Sequence, residues 1–291
     1  MSVDAPRPLV YIILVNWNNW KDTSQCLVSL GGLDYPDYRV LLLDNGSVDG
    51  SVQRIRESFP EVETVELGAN LGFAKGNNVG IRVALERGAE FVWLLNNDTT
   101  VNSLTLRALL TTAERDPRVG AVGSAIYSFT QRERLQVWGG GHIDFLLGRS
   151  VCFPRNVGDE RVQYITGASL FLRRQAVEQV GLLDEEFFMY WEDADYCFRL
   201  RRSGWRLAVA ADSKVWHREQ GSVGKKSVLM DAYFNRSAVH FFRKYATVPL
   251  VPIWLSLTQR FARWLLAGDL DRVGAVWAAL RKPEIVSARS F

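Results

Sequence analysis

The strongest constraint on the fold is an alternation of strand and helix patterns over the first 118 residues. Short apolar runs rich in Val, Ile and Leu alternate with amphipathic stretches of helical length. The pattern predicts strands at 9–15, 39–44, 62–67 and 91–95, with helices at 21–30, 51–59, 76–87 and from about 103 to before Pro117. Such an alternation is typical of an α/β fold with a mostly parallel sheet covered on both faces.

Polar segments follow three of these predicted strands. They lie at 16–19, 44–49 and 96–99 and are rich in Asn, Asp and Gly. In open α/β sheets, ligands bind beyond the carboxyl ends of the strands. Any one segment is as well explained as a turn, since these residues are ordinary turn formers. Three of them at one predicted sheet edge favour a binding site.

The second half of the chain has a less regular pattern. Loops and short strands are predicted over 120–165. A strand at 168–173, a helix at 174–180, a helical segment at 191–203 and a strand at 206–211 follow. From about Ser227 the pattern is helical. We therefore predict a catalytic domain at 1–226, with halves at 1–118 and 119–226, and a helical extension at 227–291.

Composition and charge exclude several classes of protein. Hydrophobic residues make up 47% of the 291 residues and the net charge is only +3, which indicates a globular protein and argues against a nucleic-acid partner. The first strand is not followed by Gly-x-Gly-x-x-Gly, so a dinucleotide-dependent dehydrogenase is not indicated, and no Gly-Lys-Ser/Thr phosphate loop is present. Cys26, Cys152 and Cys197 lack metal-ligand spacing and are interpreted as reduced core residues of a cytoplasmic protein.

Asp98 is a candidate metal ligand. It follows the predicted strand at 91–95, so its carboxylate is expected at the sheet edge. Without a phosphate loop, a bound nucleotide needs another counter-charge for its phosphates, and a divalent cation supplies it. One carboxylate suffices when the diphosphate contributes further oxygens. The alternative is that Asp98 caps a turn.

An acidic segment at 185–195 is the candidate catalytic element. It holds five carboxylates among apolar and aromatic residues, and Glu192, Asp193 and Asp195 begin a predicted helix that continues to Arg202. Acidic residues in a first helical turn are also common for dipole reasons alone. Asp195 and Arg199 are spaced to pair. That pairing leaves Asp193 as the freer carboxylate and a candidate general base.

Six sequence segments together resemble the family 2 glycosyltransferases of the GT-A fold, and among them the bacterial rhamnosyltransferase-like branch. They occur in the family's order and cover about residues 9–224. The segments are 15–18, 43–51, 70–78, 94–99, 166–168 and 188–200.

The resemblance implies a role for each matching residue. Asp98 corresponds to the last acidic position of the family's Asp-x-Asp metal motif, whose first position is Asn96 here, and His217 resembles a downstream histidine that reaches the metal or the diphosphate. A structural role for this single histidine is equally well founded. Asp193 matches the family's catalytic base, with Glu192 beside it. The implied donor-binding residues are Asn16, Asp44, Asn70, Gly72, Ala74, Asn77 and Asn97.

The implied activity is inverting transfer of a sugar from a nucleoside diphosphate sugar, with dTDP-rhamnose favoured by the branch, to a hydroxyl of a saccharide or lipid-linked acceptor. Mg²⁺ or Mn²⁺ is the implied cofactor. Two alternatives stay open: a sugar nucleotidyltransferase, which would need a basic glycine-rich loop after the first strand, and a non-catalytic sugar- or membrane-binding protein that keeps the fold.

The segment at 248–266 carries an apolar stripe at helical spacing. Arg260 and Arg263 interrupt the segment, mostly on other sides of the helix than the stripe, which argues against a membrane-spanning helix. A basic amphipathic helix of this kind suits peripheral contact with the inner face of a membrane. Packing against the catalytic domain or against another subunit of a homo-oligomer is the alternative. The stripe consists of Ile253, Leu257, Phe261, Trp264 and Leu265.

Overall fold

The computed structural model of the chain describes residues 7–218 and 228–278. The strands in this part are β1 (Val10–Asn16), β2 (Tyr38–Asp44), β3 (Glu63–Glu66), β4 (Phe91–Leu95), β5 (Thr99–Val101), β6 (Val119–Ser128), β7 (Leu135–Trp138), β8 (Gly140–Asp144), β9 (Arg149–Cys152), β10 (Tyr164–Ile165), β11 (Ser169–Arg173) and β12 (Arg206–His217). The α-helices are α1 (Trp20–Gly31), α2 (Ser51–Ser58), α3 (Gly72–Glu86), α4 (Thr105–Glu114), α5 (Arg174–Val180), α6 (Glu192–Arg202), α7 (Val228–Tyr245), α8 (Leu250–Leu266) and α9 (Leu270–Ala278).

A nine-stranded mixed sheet forms the centre of the molecule. Its order is β3-β2-β1-β4-β11-β6-β12-β5, with β7 paired to β6. The first four strands are parallel, β11 runs antiparallel between β4 and β6, and β12 is parallel to β6. A smaller sheet has the order β10-β8-β9. The predicted α/β alternation is therefore confirmed, with element ends shifted by a few residues.

Helices cover both faces of the large sheet. Apolar side chains of α1, α2 and α4 pack on one face, and those of α3, α5 and α6 pack on the other. Cys26 and Cys197 are buried within these layers, as predicted, but Cys152 is exposed. The prediction for Cys152 was wrong because it lies on β9 of the small sheet, outside both layers.

The region 120–165 contains more regular structure than its sequence indicates. Its first residues form β6, a ten-residue strand inside the sheet, where loops and short strands were expected. The strand is rich in Gly and Ala and has few of the β-branched residues that mark a strand in a sequence. Space explains the glycine at position 123: a Cβ there would lie 2.8 Å from Ile165 Cγ2 and 2.9 Å from the Gly139 carbonyl oxygen.

A chain of buried hydroxyl groups ties the middle strands together. Trp93 on β4 donates its Nε1–H to Ser169 Oγ on β11 at 2.9 Å. Ser169 and Ser124 hydroxyls lie 2.7 Å apart, as do those of Ser124 and Ser213. All four residues are fully buried. Each polar group is thus paired without water, which a buried indole or hydroxyl requires.

The C-terminal helices pack on the site-bearing side of the molecule. Lys244 and Tyr245 on α7 bind the buried carboxylate of Asp195, both at 2.7 Å. Trp191 lies against Phe241 and Phe242 of the same helix, with ring centroids 4.9 and 5.3 Å apart. The division of the chain at 226 stays a prediction.

The apolar stripe predicted on α8 packs mainly inward. Ile253 and Leu257 are buried, and Phe261 and Trp264 are half-buried against the core, so the packing alternative is confirmed for this stripe. Two details differ from expectation. Leu265 is exposed, and the Arg260 guanidinium turns inward over the Phe234 ring, with its carbon 4.4 Å from the ring centroid. Within the described ranges, the structure has no helix with the length and apolar character needed to cross a bilayer.

Candidate functional site

A cavity of about 590 Å³ opens at the carboxyl ends of β1 and β4. Its walls come from the strand-end segments, the start of α3, the segment before α6, and α7. The lining residues are Val15, Trp17, Asn45, Asn70, Gly72, Phe73, Leu95, Asn96, Asn97, Asp98, Ser150, Tyr164, Thr166, Gly167, Ala168, Met189, Tyr190, Trp191, Glu192, Asp193, Ala194, His217, Met230 and Phe234.

The polar segments at 16–19, 44–49 and 96–99 meet at one edge of the sheet, as predicted. Asn16 donates its Nδ2–H to Asp44 Oδ1 at 2.9 Å. Asn97 donates to Asn16 Oδ1 at 3.3 Å and to Thr23 Oγ1 at 2.7 Å. Ser47 binds the other Asp44 oxygen through its backbone N–H at 2.9 Å. These buried groups hold the three strand ends in fixed relative positions.

Asn45 organises the loop that precedes α3. Its Nδ2 donates to Asn70 Oδ1 at 2.9 Å and to the Gly72 carbonyl at 3.2 Å, and its Oδ1 accepts the Leu71 N–H at 2.8 Å. Asn70 Oδ1 also accepts the Gly72 N–H at 3.0 Å. Sequence reasoning did not select Asn45, although it stands directly after the strand residue Asp44.

Gly72 brings this loop against the segment that precedes α6. Its φ of +82° is in the left-handed region, and a Cβ there would lie 2.3 Å from the Phe188 carbonyl oxygen. The neighbouring Phe73 N–H donates to that carbonyl at 2.7 Å. Only glycine fits both the backbone conformation and the close approach. The contact defines a clasp between the loop at 70–73 and the segment at 185–191.

The predicted donor-binding residues fall into two groups. Asn70, Gly72 and Asn97 line the cavity. The other four are buried behind its wall: Asn16, Asp44, Ala74 and Asn77. Asn77 donates to the Phe73 carbonyl at 2.9 Å, and Ala74 lies fully buried in the core. In this structure the buried group supports the loops that form the wall.

Asp98 and His217 lie together in the wall of the cavity. His217 Nε2 is 3.2 Å from Asp98 Oδ1 and 3.4 Å from Asn96 Nδ2. The pairing of β5 with β12 brings His217 opposite Thr99, directly after Asp98. A carboxylate and an imidazole fit a divalent cation that takes its remaining ligands from phosphate oxygens. Across residues 7–218 and 228–278 there is no cluster of three His, Cys, Asp or Glu side chains for a metal.

The segment before α6 has an unusual backbone. Tyr190 and Trp191 have φ values of +68° and +71°, in the left-handed region that bulky residues rarely adopt. Such conformations persist only where the surroundings fix them, and they cluster at functional sites. Trp191 is held by its contacts with α7, so the first turn of α6 is presented to the cavity.

The three acidic residues at the start of α6 have different environments. Asp195 is fully buried and binds Arg199 Nε at 2.8 Å, so the predicted i, i+4 pair is confirmed. Asp193 lines the cavity and accepts the N–H groups of Gly167 at 2.8 Å and Ala194 at 2.7 Å. Glu192 also lines the cavity, and its Oε2 has no hydrogen-bond partner in the described structure.

These environments raise the pKa values of Asp193 and Glu192, the two carboxyl groups that line the cavity, to different extents. Burial raises the pKa of Asp193 above its ordinary value, and the two backbone N–H groups offset part of that rise. Burial, followed by repulsion from the Asp193 charge, raises the pKa of Glu192 well above its ordinary value of 4.5. The rise is larger for Glu192, so Asp193 is the carboxyl of the pair that ionises at the lower pH.

Several wall residues were not selected from the sequence. Trp17 and Phe73 lie inside the segments 15–18 and 70–78 that carry the family resemblance, so the sequence could have indicated them as site residues. Met230 and Phe234 come from α7, far along the chain, and no local pattern marks them as site residues. They contribute an apolar wall to the cavity.

Comparison with known proteins supports the fold and the family that the sequence resemblance predicts. The model of the family described as glycosyltransferase-like family 2 matches residues 6–238. The N-acetylglucosaminyl-diphospho-decaprenol L-rhamnosyltransferase of Mycobacterium tuberculosis is 30% identical over 257 residues, covering 79% of this chain and 82% of the relative. The dTDP-rhamnosyl transferase RfbF of Shigella flexneri is 22% identical, covering 75% of this chain and 71% of the relative.

Two solved structures share the architecture. GalNAc-T7, solved with UDP, GalNAc and Mn²⁺, aligns with a TM-score of 0.70 at 14% identity, over 94% of this chain and 55% of its own. The mannosyltransferase PcManGT of Pyrobaculum calidifontis, solved with GDP-Man and Mn²⁺, aligns with a TM-score of 0.59 at 19% identity, over 94% and 74% of the two chains. The predicted fold class is thereby confirmed.

Proposed function

The chain belongs to glycosyltransferase family 2 and has the GT-A fold, and we propose that it transfers L-rhamnose from dTDP-rhamnose to a hydroxyl of a lipid-linked saccharide. The observation that carries the proposal is the cavity itself, in which Asp98 and Asp193 line one space. A leaving diphosphate and an attacking hydroxyl need separate groups of this kind.

The donor is proposed to lie against the strand-end segments. Asn70, Gly72 and Asn97 would contact it directly, while Asn16 and Asp44 hold the loops in place. Rhamnose and thymidine diphosphate are supported by the names of the relatives from Mycobacterium tuberculosis and Shigella flexneri.

The proposed mechanism is a single displacement with inversion. The ionised Asp193 carboxylate takes the proton of the acceptor hydroxyl, whose oxygen forms the new bond to the anomeric carbon as the bond to the diphosphate oxygen breaks. The N–H groups of Gly167 and Ala194 hold the carboxylate in place for that step. Neutral Glu192 adds no second negative charge beside it.

A divalent cation, Mg²⁺ or Mn²⁺, is proposed as cofactor and would be held by Asp98 and His217. When bound it supplies positive charge that stabilises the leaving diphosphate. The two structural neighbours were solved with Mn²⁺, which supports a metal of this class.

The acceptor is proposed to be a saccharide linked to a lipid through a diphosphate. The name of the mycobacterial relative supports this class, and the apolar wall formed by Met230 and Phe234 suits it. Such an acceptor confines the reaction to a membrane surface. We therefore propose a cytoplasmic enzyme in peripheral contact with the inner face of the membrane.

A transfer assay tests the proposal. The purified protein is incubated with dTDP-L-rhamnose, UDP-N-acetylglucosamine or GDP-mannose, with and without an N-acetylglucosaminyl diphospholipid, and nucleoside diphosphate release and product mass are measured. We expect release only with dTDP-L-rhamnose and acceptor together, and a product heavier by one deoxyhexose. A protein that binds donors but releases no diphosphate in any combination is the non-catalytic alternative.

A further inference from the structure

α8 carries a second apolar face, turned away from the residues that pack inward. Its side chains are 37% to 90% exposed and fall within an arc of about 160° on a helical projection. Thr258 and Ala262 also fall within this arc, and the half-buried Phe261 lies near its edge, so no charged residue interrupts it. This outer face of α8 consists of Leu250, Val251, Trp254, Leu255, Leu265 and Leu266.

The orientation of this helix is fixed by contacts on its inner side. Ile253 and Leu257 are buried in the core, and Arg260 lies over Phe234. At the start of the helix, Gly148 approaches so closely that a Cβ there would lie 2.1 Å from the Pro252 carbonyl oxygen. The helix therefore cannot rotate to bury its outer face without losing these contacts.

Charged residues are distributed unevenly between the first 227 residues and the C-terminal remainder of the chain. Residues 228–291 contain nine Lys and Arg against four Asp and Glu, whereas residues 1–227 contain 26 against 28. The segment 248–268, which includes all of α8, has no acidic residue, and the exposed Arg263 borders the outer face. The excess positive charge thus lies in the part of the sequence that carries the exposed apolar face.

We infer that the outer face of α8 docks on an anionic lipid bilayer, with the helix lying in the plane of the headgroups. Apolar side chains with a tryptophan, bordered by the exposed Arg263, match that environment. A second copy of the chain fits less well, because a two-fold interface would bring two positively charged regions together.

Docking in this way would place α8 between the lipid and the helix that bounds the cavity. Met230 and Phe234, which form its apolar wall, lie on α7, and α8 packs on that helix through Arg260. The inference extends the proposed function to a specific surface but does not depend on the donor sugar or on transfer activity.

Vesicle sedimentation of the full-length protein tests the inference. Equimolar phosphatidylglycerol and phosphatidylcholine vesicles are compared with pure phosphatidylcholine vesicles, without donor or acceptor, at about 0.05 M and about 0.5 M salt. We expect binding to the anionic vesicles at low salt and weaker binding in the other conditions. Wild-type protein that stays in the supernatant with anionic vesicles at low salt overturns the inference.

Matched double variants locate the surface. Trp254→Gln with Leu255→Gln should lower the partition coefficient by about tenfold or more, since each removes an apolar side chain from the contact. Val28→Gln with Leu104→Gln, at exposed apolar positions outside α8, should leave it unchanged. Equal loss in both pairs overturns the inference.

Light scattering and thermal unfolding complete the test. The outer-face variant should melt close to wild type, because Trp254 and Leu255 lie outside the buried core. A wild-type dimer that this variant converts to a monomer would assign the face to a second copy and overturn the inference. Because the vesicles contain no acceptor, a failed transfer assay leaves this result unaffected.

Discussion

Replacing Asp193 by Asn is the sharpest test of the candidate base. Each carboxylate oxygen of Asp193 accepts one backbone N–H, from Gly167 at 2.8 Å and from Ala194 at 2.7 Å. An amide offers one oxygen and one NH₂ group, so one of these N–H groups would face another donor. We expect a loss of about 1–3 kcal/mol in the free energy of unfolding.

The expected effect on the rate is larger than the effect on stability. The amide cannot take the proton of the acceptor hydroxyl, and general-base catalysis is typically worth about 10²–10⁴-fold. That loss corresponds to about 3–5 kcal/mol in the activation barrier. Donor affinity should change little, because the donor-side residues Asn70 and Asn97 are untouched.

Glu192→Gln is the matched control. The pKa of Glu192 is raised further than that of Asp193, so we expect Glu192 to be neutral where Asp193 first ionises. Its amide should then resemble the native side chain, and the rate should stay close to that of wild type. In both wild type and this control, kcat/KM should fall as pH drops through the raised pKa of Asp193. The acid limb should therefore lie above the ordinary aspartate range.

Stability against pH gives an independent readout for Glu192. The folded state holds its proton more tightly than the unfolded state, so stability should fall as pH rises from about 4.5 through the raised pKa. Glu192→Gln should flatten this slope, which urea unfolding at several pH values can measure.

Initial rates of nucleoside diphosphate release and calorimetric donor titration are the assays for the pair. Near-normal turnover by Asp193→Asn together with an inactive Glu192→Gln would refute the reasoning and assign the base to Glu192.

Three further predictions concern the metal, the clasp and the core. Asp98→Ala should abolish transfer, and wild-type activity should vanish in excess chelator and return with Mg²⁺ or Mn²⁺; full activity in chelator would contradict the metal role. Gly72→Ala should destabilise the protein by at least about 1–2 kcal/mol, because an alanine is strained at the native φ of +82° and its Cβ would meet the Phe188 carbonyl; an unchanged melting temperature would contradict the fit described. Ser169→Ala should cost about 1–3 kcal/mol in urea unfolding, because the buried Trp93 N–H loses its acceptor; Ser169→Thr tests whether a retained hydroxyl limits the loss.

The parallel half of the fold follows from local sequence patterns. β1, β2 and β4 are short apolar runs that end in polar segments, and pairing parallel strands brings those ends to one edge. Hence the meeting of Asn16, Asp44 and Asn97 is predictable from the sequence alone. The position of Asp193 beside a paired Asp195 follows in the same way from helical spacing.

Other features depend on contacts between distant segments. Gly123 of β6 has no space for a side chain because Ile165 and Gly139 lie against it, and both belong to later segments of the chain. The inward turn of Arg260 depends on Phe234 in another helix. Likewise, local spacing cannot show which predicted donor residues line the cavity and which, like Asp44, support it from behind.

The clasp at Gly72 has a consequence for exchanging parts between related enzymes. The loop at 70–73 packs closely against the segment at 185–191 because Gly72 has no side chain, and the Phe73 N–H donates a hydrogen bond to the Phe188 carbonyl. A chimaera that takes only one of these two segments from a relative creates a new junction at this contact. The two segments, more than a hundred residues apart, are therefore one module, and transplanting donor specificity requires moving them together.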